Sequence, residues 1–245
     1  MTASLAAASR RLPRGWTHLG LQFGLWIGFY AAYQVARGVA DRGGVATAFA
    51  NGEWIIDFQR RLGTMFELSL QRLVEGSGFL IQATSITYWL SQFAVVGIAL
   101  VWVYFRAHER FAGFRNTLIA GNLIGLACYV LVPTAPPRMF PGVGFTDTLA
   151  THSTVNHSST FVAFAANPYA AMPSLHALDA LIVSAVMATV VRRRWAKVLW
   201  LAWAPWVWFA VMATGNHFWL DVAAGVLVAA VAAAVVYRPW RRDPA

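Results

Sequence analysis

Six apolar runs of membrane-spanning length constrain the fold of this chain more than any other feature. They cover residues 16–36, 79–105, 116–132, 171–191, 198–213 and 218–237. A helix crosses the hydrocarbon core of a bilayer with about 20 predominantly apolar residues. Hydrophobic residues make up 58% of the chain and charged residues only 12%, which is not typical of a water-soluble domain. The sequence therefore predicts an all-α polytopic membrane protein whose single domain, residues 1–245, is a six-helix bundle.

The distribution of basic residues predicts the orientation of this bundle. With the N-terminus in the cytoplasm, about two thirds of the 19 Lys and Arg residues fall in cytoplasmic segments, as the positive-inside rule requires. We therefore expect both termini in the cytoplasm and an integral protein of the plasma (inner) membrane. The formal charge of +9 follows from this bias and from attraction to anionic lipids, so it does not indicate binding to nucleic acid.

Two segments between the spans are predicted to lie at the outer face. Residues 51–74 carry apolar side chains at helical spacing, with Glu53 and Glu67 on the charged faces, which is typical of an amphipathic interfacial helix. This helix either packs and anchors the bundle or guides a lipid headgroup. In the second segment, the outer loop 133–170, prolines and glycines exclude a continuous helix. The loop contains His152 and His157 and is either a flexible surface loop or a lid.

Polar residues lie at the start of the fourth apolar run. The stretch AAMPSLHA places Pro173, Ser174 and His176 at the start of this span. The unpaired backbone N–H groups and the positive dipole end of such a helix start favour an anion. Ser174 and His176 are therefore candidates for binding a phosphate group, although ordinary helix capping accounts for the same residue types.

His217 and Asp221 form a second polar pair, at the start of the last span. Their spacing of four residues places them on one helical face, and an aspartate within a span marks a functional site by default. A carboxylate that binds one ring nitrogen leaves the other nitrogen basic, as a nucleophile or general base requires. The predicted topology brings this pair to the same membrane face as Arg138, Ser174 and His176.

At PTAPPR, MPSLHA and TGNHFWLD, the sequence resembles the type 2 phosphatidic acid phosphatase (PAP2) superfamily, and more closely its branch related to inositol phosphorylceramide synthase. The resemblance implies that His217 attacks phosphorus to form a phosphohistidine. It also implies that Asp221 orients His217 and that His176 protonates the leaving oxygen. Ser174 and Arg138 would hold the phosphoryl oxygens, a role suited to a helix start and a planar guanidinium.

The sequence departs from the broad pattern of this family at four positions. Leu131 replaces a lysine, Val211 an arginine, Met139 a proline and Leu175 a glycine. Two cations of the usual phosphate cradle are thus absent, which we interpret as a character of the inositol-phosphotransferase branch, with an inactive relative as the alternative. The missing charge would come from another arginine, for which the sequence offers Arg37, Arg42 and Arg72.

These observations predict a membrane enzyme that acts at the outer face on a lipid phosphate, diphosphate or phosphodiester. Water as the acceptor gives a phosphatase. We favour this activity because a site needs fewer features to bind one water molecule than to bind a second substrate. An inositol or sugar hydroxyl as the acceptor gives a phosphotransferase. The substrate partner is a phospholipid or polyprenyl phosphate, with a polyol or sugar as the alternative acceptor.

No cofactor and no metal are expected, because no cluster of carboxylates or cysteines has metal-ligand spacing. Two other functional classes fit the sequence less well. A transporter or scaffold gives no reason for the site residues to converge on one face. An intramembrane serine protease would need small residues around Ser174, where Met172 and Leu175 are bulky.

Overall fold

The computed structural model describes residues 12–40, 44–152 and 169–238. Its helices, in chain order, are α1 (Gly15–Ala40), α2 (Val45–Leu62), α3 (Glu67–Glu75), α4 (Gly78–Leu90), α5 (Val96–Arg106), α6 (His108–Leu131), α7 (Thr148–His152), α8 (Leu175–Val190), α9 (Arg194–Ala213) and α10 (Trp219–Tyr237). The described residues contain no strand, and their only β-type pairing is an isolated bridge between Thr134 and Ala170. The all-α prediction is therefore confirmed.

Four helical stretches of the described chain are long and apolar enough to cross a membrane. They are Gly78–Arg106, in which a π-helical turn at Ser91–Val95 joins α4 to α5, and the helices α6, α9 and α10. The helix α8 is apolar but has only 16 residues, and α1 has 26 residues. These helices identify an integral membrane protein, and the count of six spans stays a prediction.

Two predicted boundaries differ from the structure. The third apolar run lies in a longer helix, since α6 begins at His108 rather than near residue 116. The interfacial segment 51–74 is not one helix, because Gly63 adopts a left-handed conformation with a φ of 66° and ends α2. Glycine is the residue that most readily ends a helix in this way. The chain then turns before α3 begins at Glu67, so the prediction of a single helix was wrong.

The core of the bundle forms where α8 packs against α6, α9 and α10. Leu175 and Leu178 of α8 are buried against Gly125 and Gly121 of α6. A side chain at Gly125 would clash with Leu175, so small residues on α6 allow the close approach of α8. This packing gives a structural role to Leu175, one of the four departures from the family pattern.

The outer loop begins with two short 3₁₀ turns, Pro137–Met139 and Pro141–Val143, before α7. The two turns confirm that its prolines prevent a continuous helix. Some residues singled out in the sequence cannot be placed. Arg42 and His157 lie outside the described residues, as do the side chains of Arg37 and His152.

Candidate active site

The site forms at one end of the bundle, where the outer loop meets the starts of α8 and α10. The backbone N–H of Arg138 donates to the carbonyl of Gly215 at 2.8 Å, and that of Ser174 donates to the carbonyl of Asp221 at 2.9 Å. These bonds join three segments that are far apart in the sequence. They bring His176 into the same region as Arg138 and the turn that carries His217.

The ring of His217 is oriented mainly by a backbone carbonyl. Its Nδ1 lies 2.9 Å from the carbonyl oxygen of Ala171. A carbonyl oxygen only accepts hydrogen bonds, so Nδ1 carries the proton in the neutral ring and Nε2 carries the lone pair. Asp221 Oδ2 lies 3.5 Å from the same Nδ1 and accepts a shorter bond, of 2.8 Å, from the backbone N–H of Phe218. Asp221 therefore supports both the ring and the turn that follows it.

His217 is buried, and burial lowers its pKa to about 3, with the nearby Arg138 guanidinium acting in the same direction. The hydrogen bond to the Ala171 carbonyl opposes this shift. A pKa well below neutrality keeps the ring uncharged at physiological pH. The Nε2 lone pair is then available for attack on an electrophile.

His176 lies in the first turn of α8 and faces His217. The centroids of the two imidazole rings are 5.8 Å apart. The His176 ring also stacks on Tyr88 at a centroid distance of 4.4 Å and an angle of 23°. The stacking fixes the ring beside the space in front of His217, where an acid or base for a reacting group is needed.

Arg138 is held by a network from the turn before His217. Its Nη1 donates to Asn216 Oδ1 at 2.5 Å, and its Nε lies 3.5 Å from Asp147 Oδ2. Asn216 is held in turn, because its Nδ2 donates to Thr214 Oγ1 at 2.8 Å. A guanidinium fixed by its neighbours is preorganised for binding phosphoryl oxygens.

Gly215 completes this turn, since its backbone has a φ of 72°. A Cβ atom at this position would lie 2.7 Å from the carbonyl oxygen of Thr146 and 3.0 Å from Gln71 Nε2. Both the left-handed conformation and the close approach therefore require glycine. Each residue of the sequence TGNH thus has a defined place in the structure. From the sequence alone, only His217 was a candidate site residue.

Ser174 takes the role of a helix cap. It is fully buried, and its Oγ accepts from the backbone N–H of Ala177 at 3.3 Å. It is not among the described residues that line the cavity beside His217. The binding of phosphate by Ser174 stays a prediction.

A cavity of about 330 Å³ lies in front of the two histidines. Arg138, His176 and His217 line it together with Tyr88. Other aromatic side chains from α1 and from the π-helical region form much of the remaining wall; they include Trp26, Phe29, Tyr30, Tyr33, Trp89 and Phe93. The arrangement combines two imidazole rings and a guanidinium in a cavity with aromatic walls.

Glu67 is a further residue of the site, although the amphipathic pattern of its segment predicts a position on a charged face. It is fully buried, and its Oε1 accepts 2.7 Å bonds from the backbone N–H of Trp219 and from Gln59 Nε2. Burial raises the pKa of its carboxyl, and the nearby Asp221 acts in the same direction. The two residues after His217 thus both donate from their backbone N–H groups to buried carboxyls. Phe218 donates to Asp221, and Trp219 donates to Glu67.

Apolar residues occupy the two positions at which the family pattern has a lysine and an arginine. Leu131 is 77% exposed on the outside of the bundle, and Val211 is fully buried in the core. Arg72 is exposed and is not among the described residues that line the cavity. Of those lining residues, Arg138 alone carries a permanent positive charge.

No group of three or more His, Cys, Asp or Glu residues that could hold a metal ion is found in the described part of the chain. Independence from metals stays a prediction.

The comparison with known families places the chain in one of them. Residues 53–235 match the model of the PAP2 superfamily. The chain belongs to the PAP2 superfamily. The matched range includes the candidate site residues of all three sequence blocks.

This PAP2 protein is similar in sequence to the phosphoinositol dihydroceramide synthase of Bacteroides thetaiotaomicron. The two are 28% identical over 152 residues, which cover 56% of this chain and 48% of the relative. The chain thus matches about half of the length of that protein. This match agrees with the resemblance to the inositol phosphorylceramide synthase branch. No solved structure matches the chain.

Proposed function

We propose that this PAP2 protein transfers a phosphoryl group, or a phosphate ester, from a lipid substrate through a phosphohistidine at His217. The observation that carries the proposal is the hydrogen bond from His217 Nδ1 to the Ala171 carbonyl, because it leaves the lone pair on Nε2. The neutral ring beside a fixed guanidinium and a second imidazole is suited to attack on phosphorus.

In the first step, Nε2 of His217 forms a bond to phosphorus, and the bond from phosphorus to the leaving oxygen breaks. His176 donates a proton to that oxygen, and Arg138 binds the phosphoryl oxygens. In the second step, the oxygen of water or of an alcohol attacks phosphorus and gives its proton to His176. The bond between phosphorus and Nε2 then breaks, which restores both histidines.

A second cavity supports a lipid as the substrate. It measures about 270 Å³, is lined mainly by apolar side chains of α1, α5 and the π-helical turn, and shares Trp26, Gln92, Phe93 and Val96 with the first cavity. An acyl or prenyl chain in this groove would place its polar end beside His217. The membrane character of the protein fits such a substrate.

The acceptor distinguishes a phosphatase from a phosphotransferase. The name of the Bacteroides relative includes both phosphoinositol and dihydroceramide, which favours an alcohol as the acceptor. The sequence alone, in contrast, favours water as the acceptor. We place the site at the extracytoplasmic face of the plasma (inner) membrane, because the basic residues predict cytoplasmic termini.

The test uses purified protein in detergent with EDTA present. Phosphatidic acid, phosphatidylinositol and a polyprenyl phosphate are supplied singly, each with and without a ceramide-type alcohol. Free phosphate and new lipid products are quantified for the wild type and for His217→Ala. Turnover that requires His217 supports the proposal, and headgroup transfer to the ceramide identifies the phosphotransferase. Equal turnover by both proteins, or none by either, contradicts it.

A further inference from the structure

A buried polar cluster lies in the wall of the catalytic cavity, and the proposed chemistry does not use it. It consists of Gln92, Asn122 and Asp179, which all line the cavity that contains His176 and His217. Asp179 is 4% exposed and Asn122 is 7% exposed. Asp179 lies in the second turn of the apolar helix α8, and a carboxyl group inside such a helix is costly in a membrane and marks a functional position.

The three side chains come from three different parts of the bundle. Asn122 of α6 donates from its Nδ2 to Asp179 Oδ1 of α8 at 2.7 Å. The side chain of Gln92 lies near the Asp179 carboxyl and lines the same cavity. Gln92 lies on the π-helical turn Ser91–Val95, and such single π-helical turns often occur at functional sites.

The cluster has more acceptors than donors. The Nδ2 group of Asn122 uses both of its hydrogens, one for Asp179 and one for the Leu118 carbonyl at 2.9 Å. An ionised carboxylate can accept about four hydrogen bonds, and Asn122 provides one of them, with the Gln92 side chain nearby. A ligand that donates hydrogen bonds from hydroxyl groups would complete the set.

The position of the cluster fixes which part of a substrate it would meet. Asp179 is three residues after His176 on α8, so their side chains are neighbours on one helical face at about 5–6 Å between Cβ atoms. The aromatic wall around the cluster offers flat apolar surfaces to the carbon skeleton of a ring. A ring polyol joined to the phosphoryl group would span from His176 to Asp179.

We propose that Gln92, Asn122 and Asp179 form a binding site for the hydroxyl groups of a polyol that is esterified to, or attacks, the phosphorus atom beside His217. The site rests on the proposed function, because the position of the phosphorus atom is taken from His217. The polyol is either the headgroup of the donor lipid or a free acceptor. Both sources present the same hydroxyl chemistry to the cluster.

Binding is measured first, without turnover, on His217→Ala protein in detergent. The probes are myo-inositol 1-phosphate, phosphocholine and inorganic phosphate. We expect inositol phosphate to bind at least 10-fold more tightly than the other two. In Asp179→Asn and Asn122→Ala variants of this protein, that preference should fall by about 10-fold or more, since hydrogen bonds to a charged group are among the stronger ones.

The matched control is Ser184→Ala, which removes a buried hydroxyl from the same helix at a residue that is not among the described residues lining the cavity. It should keep the preference. Thermal unfolding of each variant shows whether it is folded. If the Asp179 variant does not fold, the preference of the His217→Ala protein and the effect of the Asn122 substitution still decide.

Turnover then identifies the source of the polyol in protein with His217 intact. Faster turnover of phosphatidylinositol than of phosphatidic acid, lost in Asp179→Asn, identifies the donor headgroup. Inositol phosphate formed from phosphatidic acid and free inositol, also lost in that variant, identifies the acceptor.

Equal binding of the three probes, tighter binding of phosphocholine, or an unchanged preference in both cluster variants overturns the polyol site. The proposed function fails separately, if no lipid is consumed in a His217-dependent reaction while inositol phosphate still binds selectively.

Discussion

Replacing Glu67 by alanine tests whether buried carboxyls hold the turn that carries His217. The change removes the acceptor of two buried donors, the backbone N–H of Trp219 and Nε2 of Gln59, both at 2.7 Å. Each buried donor left without a partner costs about 1–3 kcal/mol. The variant should therefore lose about 2–6 kcal/mol of stability, which for a chain of this size lowers Tm by roughly 5 to 20 °C.

The assay is thermal unfolding of the purified protein in detergent, followed by turnover of a lipid phosphate below the unfolding temperature. Glu67→Gln keeps an oxygen for the Trp219 N–H, so it should recover more than half of the lost stability and most of the rate. Glu53→Ala removes an exposed carboxyl from α2 and should leave both unchanged. A wild-type Tm in Glu67→Ala would refute the reasoning.

Three further predictions concern the same end of the bundle. Gly215→Ala should lower turnover at least 10-fold, because φ is 72° and the new Cβ would lie 2.7 Å from a carbonyl oxygen. Gly63→Ala is the control for backbone strain alone, since the space around its Cβ is open. Equal turnover rates in the two variants would contradict the role of Gly215. Asn216→Ala should raise KM for a lipid phosphate about 10-fold, since it frees the Arg138 guanidinium, and steady-state kinetics with unchanged KM would argue against this. Burial raises the pKa of Glu67 above its ordinary 4.5, so the folded state binds more protons than the unfolded state. Stability should fall as the pH rises from about 4.5 through the folded-state pKa. Unfolding of Glu67→Gln across pH should lose this dependence.

The sequence predicted the parts of the fold that depend on hydrophobic length. An apolar run of about 20 residues specifies a helix that can cross a bilayer, and α1, α4 with α5, α6, α8, α9 and α10 follow the six runs. The break at Gly63 was missed, because an amphipathic pattern continues across it and only the left-handed turn shows where α2 ends.

The site was predicted in part, for a different reason. Arg138, His176 and His217 have the chemistry of phosphoryl transfer at recognisable spacing, and the structure places all three around one cavity. The Ala171 carbonyl could not be predicted, because a backbone atom has no sequence signature. Glu67 was missed because its burial depends on how α3 packs, and an acidic residue in an amphipathic segment is usually exposed.

The departures from the family pattern also needed the structure. Leu175 fills the space that Gly125 leaves open on α6, which no single sequence position reveals. At Leu131 and Val211, the sequence showed the loss of two cations, and the structure places one residue on the outside and the other in the core.

The central claim is that His217 becomes covalently phosphorylated, and trapping that intermediate tests it most directly. Protein in detergent with EDTA is mixed with a lipid labelled at its phosphate, quenched with alkali and digested, and the labelled peptide is sequenced. The account predicts an acid-labile, alkali-stable label on the peptide that contains His217, absent from His217→Asn and present in Ser184→Ala. A label on another residue, or turnover in the wild type with no label at His217 under rapid quenching, would contradict it.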